Sequence, residues 1–327
     1  MILNGQGHRD LFESIEIPKK EIWAVGGGKG GTGKSLISAN IGVVLSKMGK
    51  RVLLVDADFG CANLHTFLGV EPEMTLSDFV QGKVANLKDV LTKINPPNLF
   101  LLSGARDILE ITDPRHIQRV GLIQQIRELE FEYIILDLGA GTSSSNLDFF
   151  LSADIGILSV LPEPTSIENA YRFIKSAFYR HFKKWAQEPL AKKLITDAMH
   201  EKNARGIQTP YDLVNYIASL DSNAGKTMRD AVLSFSPKIV VNQVRSRDDV
   251  TLGFSIRSSC AKYFGIRVDY VGYIEYDEHV ITAIKKRTPL VTEHPRATAT
   301  RCIERAISNL LRKEDLKIES IFKTVRM

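Results

Sequence analysis

Along this chain, short uninterrupted apolar runs alternate with longer stretches in which apolar side chains return every three or four residues, the signature of strands interleaved with helices. Ile22 to Val25 form the first run and enter a glycine-rich turn, after which Leu36, Ile37, Ile41, Val44 and Leu45 recur at helical spacing. Arg51 to Val55 reads as a buried strand ending at Asp56, and Leu99 to Leu102 as another after the Pro96-Pro97 break. Asp113 and Pro114 supply an N-cap and a first helical residue for a helix with Ile117, Val120, Ile123 and Ile126 on its apolar side. Further strands are expected at Tyr133 to Leu136, Ile155 to Leu161, Ile239 to Val241 and Val268 to Ile274, with a helix starting near Ser166. This alternation predicts an α/β fold: a doubly wound, mostly parallel sheet with helices on both faces, joined by right-handed crossovers.

Between the helix from Ser166 and the strand at Ile239 lie about 70 residues, far more than one crossover needs, so residues 177–236 are expected to be a helical insertion at one sheet edge. Residues 1–20 lack periodicity and read as a flanking arm, leaving 21–313 as a single domain. Residues 314–327 read as an amphipathic tail, because Ile318, Ile321, Phe322 and Val325 fall on one helical stripe beside Lys317, Lys323 and Arg326.

With 327 residues, 44% of them apolar and 25% charged, the chain falls outside the disordered, collagen-like and disulfide-scaffold classes. No apolar run approaches the roughly 18 residues of a membrane span, and no apolar signal core occurs in the first 20 residues. Cys61, Cys260 and Cys302 are widely separated, which suggests neither a disulfide framework nor a zinc or iron–sulfur site and points to the cytoplasm. Of the net charge of +5, residues 172–238 carry a local surplus, 12 basic against 6 acidic residues. Such a segment suits nucleic acid, acidic lipid or simply solvent.

Gly28-Lys29-Gly30-Gly31-Thr32-Gly33-Lys34-Ser35 satisfies G-x-x-x-x-G-K-[ST] between an expected strand and an expected helix. Glycines let such a loop curl its backbone N–H groups toward a polyphosphate, and the helix that follows adds its positive end. Lys34 is expected to reach the β- and γ-phosphates and Ser35 to ligate Mg²⁺. Asp56 and Asp58 close one strand and Asp137 closes another, and acids at those strand ends lie beside the phosphate loop of an open α/β sheet.

The extra Lys29 gives the run K-G-G-x-G-K-S, which resembles the deviant phosphate loop of the MinD/ParA group of ATPases. The resemblance implies an ATP-closed homodimer in which Lys29 reaches the partner's phosphates, with Asp56 holding Mg²⁺ through water, Asp58 orienting the attacking water and Asn63 at the dimer face. Leu138-Gly139-Ala140-Gly141 resembles the group's D-x-x-A-G switch, and Gly139 is more like the flagellar FlhG/FleN branch than the MinD branch. No acid directly follows Asp137, which implies slow turnover. Pro162 to Ser166, Val241 to Arg245, and Gly272 to Ile274 with Asp277 extend the resemblance, which carries an adenine contact to Asn242. It covers residues 21–175 and 238–313. The paired cluster cysteines of iron–sulfur relatives are absent, and residues 1–20 lack the D-Q-A-x-x-L-R element of FlhG proteins.

The expected activity is therefore Mg-ATP-dependent dimerisation and hydrolysis in a spatial regulator of a flagellum, division site or cell pole, with a regulatory protein partner and peripheral contact at the inner face of the cell membrane. The alternative is a ParA-like partition ATPase that binds DNA non-specifically through Arg180, Lys183, Lys184, Lys192 and Lys193. A ligase or transferase on the same scaffold is a third possibility, for which no second substrate pocket is legible.

Overall fold

The expected apolar runs become strands of one sheet in the computed structural model, which describes residues 20–58, 62–104, 116–185 and 209–316 and a few positions between 192 and 207. The strands are β1 (Glu21–Gly27), β2 (Val52–Ala57), β3 (Thr92–Ile94), β4 (Leu99–Leu102), β5 (Tyr133–Ala140), β6 (Ile155–Val160), β7 (Lys238–Val244) and β8 (Asp269–Glu275). They lie in the order β3-β4-β2-β5-β1-β6-β7-β8. All pair in parallel except β3, which runs antiparallel to β4. Every residue of β1 and β2 is buried, as expected of central parallel strands covered on both faces.

The first helices in chain order are α1 (Lys34–Lys47), α2 (Leu64–Leu68), α3 (Leu76–Val80), α4 (His116–Glu128), α5 (Ser144–Ser152) and α6 (Pro164–Trp185). They are followed by α7 (Pro210–Leu220), α8 (Ser222–Ser234), α9 (Arg247–Ser259), α10 (Glu278–Lys285), α11 (Leu290–Glu293) and α12 (Thr298–Arg312). On one face α1 packs with α11 and α12, and α12 covers β8; on the other, α4, α5 and α6 succeed one another and α9 covers β7 and β8. The core is a single apolar cluster running through both layers.

α1 lies so deep that its residues from Leu36 to Ser46 are all buried, and Gly42 is where it meets the sheet: a Cβ there would fall 2.8 Å from Leu54. Residues 177–185 continue α6, with Ala177, Phe178 and Phe182 fully buried, so the helix over the sheet runs through the expected start of the insertion. α7 and α8 pack together, and α8 packs against α6 through the His181 ring, whose Nε2 lies 3.1 Å from the Ala231 carbonyl oxygen.

Two local expectations need correction. Val120, placed on the apolar side of its helix, is 52% exposed. Leu122, Ile126 and the charged Arg119 face inward instead, because the buried Asp148 of α5 binds Arg119. The same carboxylate takes Arg180 in a two-pronged contact of 2.8 Å at each oxygen. Arg180, whose side chain is 30% exposed, is thus held by a buried carboxylate that it shares with Arg119. Lys192 and Lys193 are exposed, whereas the side chain of Lys184, residues 1–19 and tail residues 317–327 lie outside the described residues, as do Asp113 and Pro114.

Candidate functional site

The phosphate loop leaves β1 at the point where successive strands go to opposite sides of the sheet, since β1 has β5 on one flank and β6 on the other. This is the crevice where open α/β sheets bind ligands. Gly31 and Gly33 adopt φ of +78° and +89°, left-handed values that a side chain resists. Gly28 is required for a different reason: a Cβ there would sit 2.2 Å from the Asn169 carbonyl oxygen of α6. Gly30 and Gly31 have open space where a Cβ would be, leaving a cradle at the loop's crest. The carbonyl oxygen of Thr32 accepts hydrogen bonds from Ser159 Oγ at 2.6 Å and Asn242 Nδ2 at 2.8 Å, which anchor the loop to β6 and β7.

Lys34 is the first residue of α1 and is 9% exposed, so its ammonium works from a largely dry site. Gly33, the N-cap, brings no side chain to the helix's first N–H groups, which are left to an anion. The hydroxyl of Thr32 is buried without a hydrogen-bond partner among the described residues, an orphan group of the kind a ligand satisfies.

Asp56 and Asp137 are direct partners across β2 and β5, 0% and 2% exposed. Leu64 N–H donates to Asp56 Oδ2 at 2.9 Å and Asp58 N–H to Asp56 Oδ1 at 3.2 Å, so Asp56 also shapes the turn after its strand. Asp137 accepts from Ser38 Oγ at 2.9 Å and from Ser35. Burial, with the second carboxylate next to it, pushes Asp56 well above the usual range. Asp137 is likewise raised, by burial first and against the pull of Ser35, Ser38 and Lys34. Two desolvated carboxylates held side by side are unfavourable unless protons or a cation neutralise them. The orphan hydroxyl, the open cradle and this pair together fit a polyphosphate with a divalent cation.

Because these folded-state values lie above the unfolded ones, the two acids add stability that is complete below about pH 4 and is lost as pH rises through the raised values. The nucleotide-free protein is therefore expected to melt at a lower temperature at about pH 7.5 than at about pH 5.5. Thermal scans should show that decline flattened in Asp137→Asn, and equal declines in both proteins would contradict the assignment.

A cavity of about 600 Å³ runs from the loop past Lys34, Ser35, Asp58 and Asn63 to Asn242 and Tyr276. Lys29 lies at the outer end of the loop, where Nζ meets Glu163 Oε2 at 2.8 Å and Thr165 Oγ1 at 3.3 Å. Both ion-pair partners are solvent-exposed, at 37% and 51% of the side chain, and such pairs contribute only about 0–1 kcal/mol, so a phosphate readily competes for Lys29. Asp58 packs against the turn that follows Asp137: a Cβ on Gly139 would lie a tight 3.2 Å from its carboxylate.

The structure thus gathers the loop residues Gly28 to Ser35, Asp56, Asp58, Asn63, Asp137 and Asn242 at one end of the sheet. Sequence reading missed Ser38 and Ser159, which hold the Asp137 carboxylate and the loop. Ser38 was recoverable, since it lies one helical turn beyond Ser35 on α1; nothing near Ser159 in the chain marks it.

Residues 23–290 match the family described as the CobQ/CobB/MinD/ParA nucleotide binding domain. The antiactivator FleN of Pseudomonas aeruginosa is 27% identical over 282 residues, covering 86% of this chain and 82% of that protein. The flagellum site-determining protein YlxH of Helicobacter pylori is 33% identical over 189 residues, which span 53% of this chain and 62% of that protein. Among solved structures, the septum site-determining protein MinD of Pyrococcus horikoshii, complexed with Mg-ADP, superposes with a TM-score of 0.58 at 21% identity, covering 89% of this chain and 96% of that one. The fold is the MinD one, and the match over most of its length shows that the chain belongs to the CobQ/CobB/MinD/ParA nucleotide-binding family.

Proposed function

We propose that this protein is an Mg-ATP-dependent dimerising ATPase that determines the site of a cellular structure, the last being what the names of its MinD and YlxH relatives say of those proteins. In this reading residues 21–313 act as one ATPase domain carrying an insertion near 177–236, with 1–20 as an arm and 314–327 as a tail. The loop amides from Gly28 to Gly33 and the Lys34 ammonium hold the phosphates, while Ser35, Asp137 and, through water, Asp56 would hold Mg²⁺, which when bound would supply neutralisation of the phosphate charge. Asp58 orients the attacking water, and with no acid beside Asp137 turnover is below the about 1 s⁻¹ floor of ordinary enzymes. Lys29 leaves Glu163 and crosses to the partner's phosphates, with Asn63 at the same face.

The observation that carries this reading is the position of Lys29: it lies on a fully built phosphate loop, partly exposed and held by an exposed, weakly competing carboxylate and the Thr165 hydroxyl. The output is an assembly state in which two tails come together, since one two-turn apolar stripe binds lipid weakly and two gain by avidity. A regulatory protein partner and the cytoplasmic face of the membrane complete the cycle.

Co-sedimentation with phosphatidylglycerol vesicles tests the output. The full chain with ATP is expected to pellet several-fold more than with ADP, and more than a chain lacking residues 316–327. Equal pelleting of both chains with ATP contradicts the tail's role. Retardation of duplex DNA by the ATP form at about 50 mM salt, without vesicle binding, favours the partition-ATPase reading instead.

A further inference from the structure

Beyond Asp137, β5 runs into a tight turn, and one side chain of the next helix holds it. Asn146 Nδ2 of α5 donates to the Ala140 carbonyl at 3.0 Å and to the Gly141 carbonyl at 3.1 Å. A carboxamide nitrogen carries two hydrogens, so this one side chain serves both acceptors. The N–H of the peptide that joins Ala140 to Gly141 donates to the Gly27 carbonyl at 3.0 Å, on the strand that feeds the phosphate loop. That peptide is thus tied by its oxygen to α5 and by its nitrogen to β1.

With its nitrogen turned to the two carbonyls, Asn146 brings its oxygen against Gly139. A Cβ on Gly139 would lie 3.2 Å from Asn146 Oδ1 and 3.2 Å from the Asp58 carboxylate, so the two side chains meet at one residue. Asp58 and Ala140 line the cavity, whereas Asn146 is 6% exposed and stands behind them. It therefore reaches the cavity only through the turn. α5 itself is anchored by other contacts: Asp148 binds Arg119 of α4 and Arg180 of α6, and Phe150 meets Phe173 of α6 edge-on with centroids 5.0 Å apart. The helix is a fixed frame, and loss of the Asn146 amide frees the turn from it.

We propose that Asn146 is a positioning residue for ATP hydrolysis: by fixing residues 139–141 to α5, it fixes the surface against which Asp58 aligns the attacking water. This rests on the reading of Asp58 as the residue that orients that water. Alignment is sensitive to small displacements, and a shift of about 1 Å caused from outside the reacting centre costs up to about a hundredfold in rate. Without the amide, the Ala140 and Gly141 carbonyls lose the donor that holds them, and Gly139 no longer has a fixed place beneath the Asp58 carboxylate.

Single-turnover release of phosphate from pre-bound Mg-ATP, with calorimetric ATP affinity alongside, tests this in the full chain. Asn146→Leu keeps the branched outline and removes both donors; it is expected to slow release about 10- to 100-fold and to leave ATP affinity within about 3-fold of wild type. On an Asp58→Ala background the same substitution is expected to change the rate less than about 2-fold, because a residue that acts through Asp58 has nothing left to position. Asn146→Ser, which keeps one shorter donor, is expected to lose about 3- to 10-fold, and it carries the test if the leucine variant does not fold. A wild-type rate in either variant overturns the assignment. So does a full further loss on the Asp58→Ala background, or a parallel loss of ATP affinity, each of which marks a structural role. An undiminished rate in Asp58→Ala itself overturns instead the reading of Asp58.

Discussion

Lys34→Ala is expected to weaken ATP binding by at least about a hundredfold, and to below detection at millimolar nucleotide if loop geometry is also disturbed. The size follows from where the ammonium sits. Lys34 is nearly buried at the start of α1, so its attraction for phosphate is little screened by water. It also opposes the upward push on Asp137, so its loss leaves the carboxylate pair less compensated and raises the cost of placing a polyanion beside them. Isothermal titration of Mg-ATP into wild type and variant measures the effect, with thermal unfolding to show that both are folded. Wild-type affinity in Lys34→Ala is incompatible with a phosphate site at this loop.

Asp58→Ala is expected to slow hydrolysis by at least about a hundredfold while leaving ATP affinity within a few-fold of wild type. Asp58 lines the cavity next to Lys34 and Ser35 and abuts Gly139 at the switch turn, which places it to align a water. Asp56, the neighbouring acid, is fully buried with each oxygen accepting a backbone N–H, so it is not placed to align a water. The measurement is single-turnover release of phosphate from pre-bound ATP. An unchanged rate removes Asp58 from the chemistry and shifts attention to the switch backbone.

The phosphate loop was legible because it is local: glycine spacing, a preceding apolar run and a following helical pattern all fall within one short segment. Asp56, Asp58 and Asp137 were legible as acids at strand ends, although only the sheet order makes the first and last neighbours. The strap from Asn242 to Thr32 was not legible, since it joins residues 210 positions apart. The inward face of α4 was misread for a related reason. Arg119 is buried only because Asp148 on another helix awaits it, and periodicity ranks a valine above an arginine there. β3 escaped notice because three residues, two of them polar, at a sheet edge carry almost no apolar signal. β5 runs four residues past the expected Leu136 because Leu138 pairs with Ala57 of β2 and Ala140 with Gly27 of β1, and no propensity of Gly139 or Ala140 announces that.

The central claim is that bound ATP joins two copies of this chain through Lys29, and it is tested most directly by multi-angle light scattering on Asp58→Ala, in which ATP stays uncleaved. With saturating Mg-ATP the variant is predicted to elute at twice its monomer mass, with ADP at the monomer mass, and with Lys29→Ala added at the monomer mass under both conditions. A monomer for Asp58→Ala with saturating Mg-ATP contradicts the account.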